Sequence, residues 1–274
     1  MKKVIPFFKM HGSGNDFILI DNRKRYFVGS ENQSVRRICQ RRLGIGADGL
    51  MLLEFQEPDH FELRYFNADG SEAAMCANGA RCAVYFMHLL NPAEKNFSFT
   101  IAGQSYQAHI AGEQRVRVCW PFSPEINPLP ATNQLSKEDF RQFLAVNTGV
   151  PHLVVQAVVA LGKIDLAHWG AFYRNHPFFG EQGTNVNFVN FSAGKIFIRT
   201  YERGIEGETL SCGTGVLAAA LAGKYWKQIQ WPVMVETHGG QLLVGQDPAT
   251  GMIWLEGPVQ AVYQGTFSRA DFTE

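Results

Sequence analysis

The chain has 274 residues, 46% of them hydrophobic, and its 25 Lys and Arg balance 25 Asp and Glu. That length supports two domains of about 130 residues each, and the even charge offers neither a basic stripe for nucleic acid nor an acidic disordered tail. No run reaches the roughly 18 apolar residues of a membrane span, and Pro6 and Lys9 interrupt the N-terminus before a signal core can form, which points to a cytoplasmic protein acting on a small molecule.

In chain order, His11-Gly12-Ser13-Gly14-Asn15-Asp16 holds a GxG without the third glycine and acidic residue of a dinucleotide fingerprint. Strands are predicted at Phe17–Asp21, Leu50–Phe55 and Phe61–Asn67, with a helix over Ser34–Arg42 capped by Ser34. Gly44-Ile45-Gly46-Ala47-Asp48-Gly49 lacks the lysine of a phosphate loop and reads as a turn or as substrate-lining backbone. An alanine-rich helix follows over Ala80–Leu90, then strands at Phe97–Ile101, Gln104–Ala111 and Arg115–Trp120. Pro121, Pro124, Pro128 and Pro130 mark the crossing to a second domain. There the predicted helices are Ser136–Leu144 and Thr214–Lys227. The predicted strands are Leu153–Val159, Val186–Phe191, Lys195–Glu202, Val233–Thr237, Gln241–Gly245, Met252–Glu256 and Pro258–Gln264. The repeated order of elements predicts two similar α/β domains facing each other across a cleft.

The five cysteines are an odd set without CxxC spacing, which argues against a disulfide framework and a structural zinc site. Cys39 and Cys119 lack a glycine frame and read as packing, as does Cys82 further along the helix of Cys76. The eight histidines show no HExxH or i, i+4 pair, so no metal is expected.

Cys76 and Cys212 stand apart. Each sits in a frame, Cys76-Ala77-Asn78-Gly79 and Cys212-Gly213-Thr214-Gly215, that opens a predicted helix. A helix N-terminus lowers a thiol's pKa and holds an anion through unpaired backbone amides. A cysteine hydrolase could recruit His152 but would leave Cys212 idle, and a thiol oxidoreductase would place its cysteines close in sequence. Two helix-capped thiols suit proton exchange at carbon, in which one removes a proton from one face and the other delivers one to the opposite face. Ala77, Gly79, Gly213 and Gly215 would let backbone donors approach a carboxylate on which charge builds up. The plain alternative is two glycine-rich turns with incidental thiols.

These residues resemble the diaminopimelate epimerase family over essentially the whole chain. The resemblance rests on Lys9-Met10-His11-Gly12-Ser13-Gly14-Asn15-Asp16-Phe17, Gly44-Ile45-Gly46-Ala47-Asp48, Phe66-Asn67-Ala68-Asp69-Gly70-Ser71-Glu72, Met75 to Cys82, Thr184-Asn185-Val186, Glu202-Arg203-Gly204 and Glu208 to Gly215. It implies an α/β fold of mixed sheets in two pseudo-symmetric domains, each a sheet wrapped around a central helix, with the active site in the cleft. The expected domains are 1–119, rejoined by the tail 264–274, and 120–263. By the same resemblance Cys76 and Cys212 are the acid/base pair of a cofactor-independent epimerase that interconverts LL- and meso-diaminopimelate for lysine and peptidoglycan synthesis. Asn15, Asn67, Asn185, Glu202 and Arg203 would hold the substrate, with Ala77, Asn78, Gly213 and Thr214 offering donors to its carboxylate. A homodimer fits the same reading.

The sequence departs from the family pattern at Val150, where an asparagine is usual, at Gly49 and Ala77, and in the longer loop Ile205-Glu206-Gly207, which brings a negative charge beside the site. The apolar wall at Val150 extends the expected substrates to shorter acidic amino acids such as glutamate. Rival readings are a proline-racemase-like isomerase, disfavoured by Glu202-Arg203, and a non-catalytic binding protein of the same fold. Oxidation of two facing thiols to a disulfide is a further reading.

Overall fold

The computed structural model describes residues 4–29, 31–57, 59–73, 75–121, 124–129 and 138–272. The chain divides into two compact units, Met1–Pro121 with Glu256–Glu274, and Phe122–Leu255. The tail expected to return at 264 returns at Glu256, where the Glu256 carboxylate accepts from Arg115 Nε at 3.0 Å and Arg117 Nη2 at 2.9 Å.

In the first unit the strands are β1 Val4–Gly12, β2 Asn15–Asp21, β3 Gly49–Gln56, β4 His60–Asn67, β5 Glu72–Ala73, β6 Asn96–Ile101, β7 Gln104–Gly112 and β8 Arg115–Cys119, with helices α1 Asn32–Cys39 and α2 Ala77–Leu90. In the second they are β9 Glu125–Pro128, β10 Phe140–Asn147, β11 Pro151–Ala157, β12 Asn185–Ser192, β13 Lys195–Glu202, β14 Gly207–Thr209, β15 Val233–Thr237 and β16 Gly240–Gln246, with α3 Leu166–Arg174 and α4 Gly213–Tyr225. β17, Ile253–Pro258, leads back into the first unit, where β18, Gln260–Ser268, pairs antiparallel with β1 from Val4↔Ser268 to His11↔Gln260.

The two units share one pairing scheme. β1–β2 is antiparallel, β2–β3 parallel, β3–β4 and β4–β5 antiparallel, β4–β6 parallel and β6–β7 antiparallel. The series from β10 repeats it: β10–β11 antiparallel, β11–β12 parallel, β12–β13 and β13–β14 antiparallel, β13–β15 parallel and β15–β16 antiparallel. The parallel steps need crossovers, which α1, α2, α3 and α4 provide in matching places. Low sequence identity between the halves hides this repeat, but backbone pairing displays it.

Each unit closes its strands around one helix. α2 packs on β1, β2, β3, β7 and β8, and α4 on β10, β11, β12, β13, β15 and β16. Both helices are buried nearly all round, as a central rather than a surface helix must be. The strands between the central and outer helices are apolar on both faces. Ile18, Ile20, Leu50 and Leu52 share a core with Val35 and Ile38 of α1, whereas Phe17 and Met51 meet Gly79 of α2. Leu153, Val155, Val186 and Phe188 pack with Leu166 and Tyr173 of α3 in the same way.

Several local expectations differ from the structure, among them that the helix read over Ser34–Arg42 spans Asn32–Cys39 and that strand β1 was not read. Ser34 does not cap α1: the helix starts at Asn32 behind Glu31, and Ser34 is buried in its first turn. The helix expected over Ser136–Leu144 is strand β10 from Phe140, and Ser136 lies outside the described residues. A register shift between Phe140 and Gln142 breaks the two-residue alternation there, so Phe140, Phe143 and Leu144 fall at helical spacing within a strand. The helix α3 went unread, although Asp165 caps it by accepting from the His168 N–H at 3.0 Å.

Replacing Glu256 by Gln leaves two guanidiniums without their shared carboxylate. Because Arg115 and Arg117 are each more than a third exposed, the expected loss is about 1 kcal/mol, seen as a Tm lower by ~2–4 °C in a thermal melt.

Candidate active site

Both framed cysteines occupy the same backbone position. Cys76 is the N-cap of α2, at φ −131 and ψ 114, and Cys212 the N-cap of α4, at φ −110 and ψ 108; neither side chain caps its own helix. The first intrahelical bonds run from Ala80 N–H to Cys76 O and from Val216 N–H to Cys212 O. The first-turn amides of residues 77–79 and 213–215 therefore lie at the positive helix ends.

Glycine at the third position after the N-cap is set by packing. A Cβ on Gly79 would sit on the Met51 side chain, and one on Gly215 would come within 2.3 Å of Asn187 Oδ1. Gly12 likewise brings β1 against α2, since a Cβ there would stand 2.9 Å from Asn78 O.

In the first unit, Arg81 lies fully buried one turn into α2, donating to Asn78 Oδ1 at 2.7 Å, Ser13 Oγ at 3.0 Å and Ala77 O at 3.2 Å. A guanidinium can only donate, so Asn78 must turn its Oδ1 toward it and its Nδ2 away. That Nδ2 donates to Asn15 Oδ1 at 2.5 Å, and Asn15 Nδ2 donates to Asp48 Oδ2 at 3.1 Å. A donor-only group at one end and an acceptor-only group at the other thus fix both amides. Asp48 and Asp16 share Arg41, and Lys9 pairs with Asp16 at 2.7 Å. Burial opposes ionisation of Asp16, but the Arg41 and Lys9 bonds outweigh it and hold the carboxyl at about 2. Asn67 ends β4, with its amide donating to Ser71 Oγ at 3.1 Å.

The second unit builds its site differently. Asn187 is fully buried on β12, donating to Leu153 O at 3.2 Å and accepting from Thr200 Oγ1 at 3.0 Å. The same Nδ2 lies 3.1 Å from His152 Nδ1, which must then accept. The proton of the neutral ring therefore sits on Nε2, 3.0 Å from Thr214 Oγ1. Thr214, accepting there, is free to donate to Cys212 Sγ at 3.4 Å. Burial, helped by the Arg203 charge, keeps His152 neutral by lowering it to about 3.

Asn185 spends its side chain on the scaffold, donating to Pro151 O and accepting from the Arg203 N–H. This carries Arg203 to the end of β13 beside half-buried Glu202. The charge brought by Glu206 does not stand alone, since Arg174 holds it at 3.1 Å and its carboxylate also accepts from Gly204 N–H. Arg81, Ser13, Asp48, Asn187 and Thr200 were not singled out as site residues from sequence; Ser13, Asp48 and Arg81 lie inside quoted motifs, whereas Asn187 and Thr200 left no signal there.

The titrations separate by pH. His152 binds its proton more readily unfolded, near 6.5, than folded, near 3. Its contribution to stability is complete above pH 6.5 and is lost as pH falls toward 3. For Asp16 the corresponding loss begins only near 3.8 and runs to about 2. The decline in Tm between pH 6.5 and 4 is therefore expected to flatten in His152→Gln and to persist in Asp16→Asn.

The sequence matches the diaminopimelate epimerase family profile over residues 7–119 and 144–262. The diaminopimelate epimerase of Chlorobaculum tepidum is 41% identical over 272 residues, covering 94% of this chain and all of that one. That of Hydrogenobaculum sp. is 40% identical over 283 residues, covering 95% and 97%. Among solved structures, a hydroxyproline epimerase from Agrobacterium vitis with bound trans-4-hydroxy-L-proline superposes with a TM-score of 0.71 at 12% identity, over 98% of this chain and 94% of that one; at that identity the likeness is one of fold.

Proposed function

The chain belongs to the diaminopimelate epimerase family, and from that premise we propose that it interconverts LL- and meso-diaminopimelate with Cys76 and Cys212 as its two bases. The observation that carries this reading is the duplicated one: each unit presents a cysteine at the N-cap of its buried helix.

In the reaction, a thiolate takes the α-proton, so a C–H bond breaks and an S–H bond forms. The electron pair moves into the substrate carboxylate, whose growing charge meets the first-turn amides of Ala77-Asn78 and Gly213-Thr214. The opposing thiol then returns a proton to the other face of the carbon. Its S–H bond breaks, the new C–H bond forms, and the configuration inverts.

Asn15, oriented by Asn78 and Asp48, and Asn67, Asn185, Glu202 and Arg203 are proposed to hold the substrate. For the distal carboxylate the support is Arg203, whose guanidinium, among the described residues, makes one hydrogen bond, to Gln182 O at 3.5 Å, and lies within the field of Glu206, which Arg174 already holds. A proline-like substrate would leave that cation unused. Among the described residues no helix is long and apolar enough to cross a membrane. Sedimentation velocity reads whether the chain assembles as a homodimer.

The test is chiral chromatography of LL-diaminopimelate incubated with the purified protein. Formation of the meso isomer until both are present is expected, and an unchanged LL substrate would reject the reading. Glutamate in the same assay decides the breadth inferred from Val150: D-glutamate from the L isomer supports it, and none confines the activity to the longer substrate.

A further inference from the structure

The longer loop after β13 puts a carboxylate, Glu206, three residues beyond Arg203. A carboxylate tethered so close to a guanidinium has a high effective concentration and competes with any carboxylate arriving from solution. The loop is too tight to hold the two apart by its length. Glu206 N–H donates to Glu202 O at 2.8 Å, with Glu206 at φ +54 and Gly204 at φ +89, so the turn doubles back on the end of β13. The Arg203 charge already acts on Glu206 through space.

Arg174, the last residue of α3, takes that carboxylate instead. Its Nε and Nη2 each donate to Glu206 Oε1 at 3.1 Å, and Nε lies 3.2 Å from Oε2. Gly204 N–H donates to the same Oε1 at 3.0 Å. The Gly204 N–H, with help from Arg174, holds the Glu206 carboxyl below the usual carboxylate range. Arg174 is itself fixed in place. Its Nη1 donates to Gln182 O at 3.1 Å, Thr184 N–H donates to its carbonyl at 3.3 Å, and a Cβ on Gly183, at φ +62, would collide with its guanidinium. Its side chain is 16% exposed, against 46% for Glu206, so the arginine is the fixed member of the pair. Arg203 Nη1 reaches the same Gln182 O at 3.5 Å. Two guanidiniums thus share one carbonyl oxygen, and the bidentate carboxylate is on Arg174. All of these residues belong to the second unit.

We propose that Arg174 is a positioning residue that sequesters Glu206 and thereby keeps Arg203 open for the distal carboxylate of the substrate. The proposal rests on the functional reading above, in which Arg203 meets that carboxylate. Without Arg174, Glu206 stays in its turn and pairs with Arg203, and that internal pair must break before substrate binds. The cost falls on binding and leaves the proton exchange at the α-carbon alone. The pairing also accounts for an acidic residue being tolerated in the loop beside an anion-binding cation.

The experiment is steady-state kinetics of LL-diaminopimelate epimerisation by the full chain as wild type, Arg174→Gln, Glu206→Gln and the double variant Arg174→Gln/Glu206→Gln. Arg174→Gln should raise KM about three- to fivefold, the worth of a partly exposed ion pair, with kcat within about twofold of wild type. Glu206→Gln alone should leave KM at or below the wild-type value. In the double variant KM should return to within about twofold of wild type, because the competitor is gone. Arg174→Met keeps the packed stem without the charge and carries the same expectations, alone and with Glu206→Gln, should Arg174→Gln not fold. A KM unmoved by loss of Arg174 overturns the proposal. So does a double variant as impaired as the Arg174 variant alone, which is what a merely structural role for Arg174 would give. Failure of the functional reading is a separate result, an LL substrate left unchanged by the wild-type protein.

Discussion

Cys76→Ser and Cys212→Ser should each lose ~10²–10⁴-fold in turnover, the range expected when a positioned acid or base is removed. A serine hydroxyl is close to the thiol in shape but ionises far too weakly to exchange a carbon-bound proton at neutral pH. Stability should move the other way. Neither cysteine side chain caps its helix, whereas serine is a preferred N-cap, so both variants should melt at or above the wild-type temperature, by up to ~1 kcal/mol. Kinetics and melting together separate chemistry from folding. A variant that keeps turnover within tenfold of wild type would remove that cysteine from the mechanism.

The second large effect belongs to Gly215→Ala. The added methyl would come within 2.3 Å of Asn187 Oδ1 and 3.3 Å of its Cγ. Asn187 cannot step aside cheaply, because it is fully buried and bonded to Leu153 O, Thr200 Oγ1 and His152 Nδ1. Overpacking of this kind costs ~1–3 kcal/mol. It also breaks the bond that sets the His152 tautomer, on which the Thr214 hydroxyl and Cys212 depend, so turnover should drop by more than tenfold. Gly79→Ala is the control at the equivalent place in α2. There the obstruction is the end of the flexible Met51 side chain, which can swing away, and a smaller loss of Tm is expected. Thermal melts that rank the two variants the other way would contradict this account of the glycines.

The cysteine frames were legible because their signal is local. A cysteine, a small residue, a polar residue and a glycine before an alanine-rich run place the thiol at a helix start, and both helices begin directly after the cysteines, at Ala77 and Gly213, three residues and one residue before the starts read at Ala80 and Thr214. The strands bounded by glycine turns were legible for the same reason. What stayed hidden depends on contacts distant in sequence. The chain from Thr200 through Asn187, His152 and Thr214 to Cys212 draws on four elements, and neither Thr200 nor Asn187 looks unusual alone. Arg81 was visible as a letter in the motif Met75 to Cys82, but its part in orienting Asn78 comes from its complete burial against that side chain. β10 was misread because a bulge imitates helical spacing. Glu206 was read as a stray charge because its partner Arg174 lies on another element, α3.

The two-base exchange is tested most directly by the fate of hydrogen at the α-carbon when the wild-type protein turns over LL-diaminopimelate in D₂O. Mass spectrometry of the two isomers at early times should find solvent deuterium in the meso product and almost none in the remaining LL substrate. This is because the proton removed by one thiol is not the one delivered by the other. A product that carries the substrate's own hydrogen, or equal deuterium in both isomers from the first time point, would mean that a single base serves both faces and would contradict the paired-cysteine account.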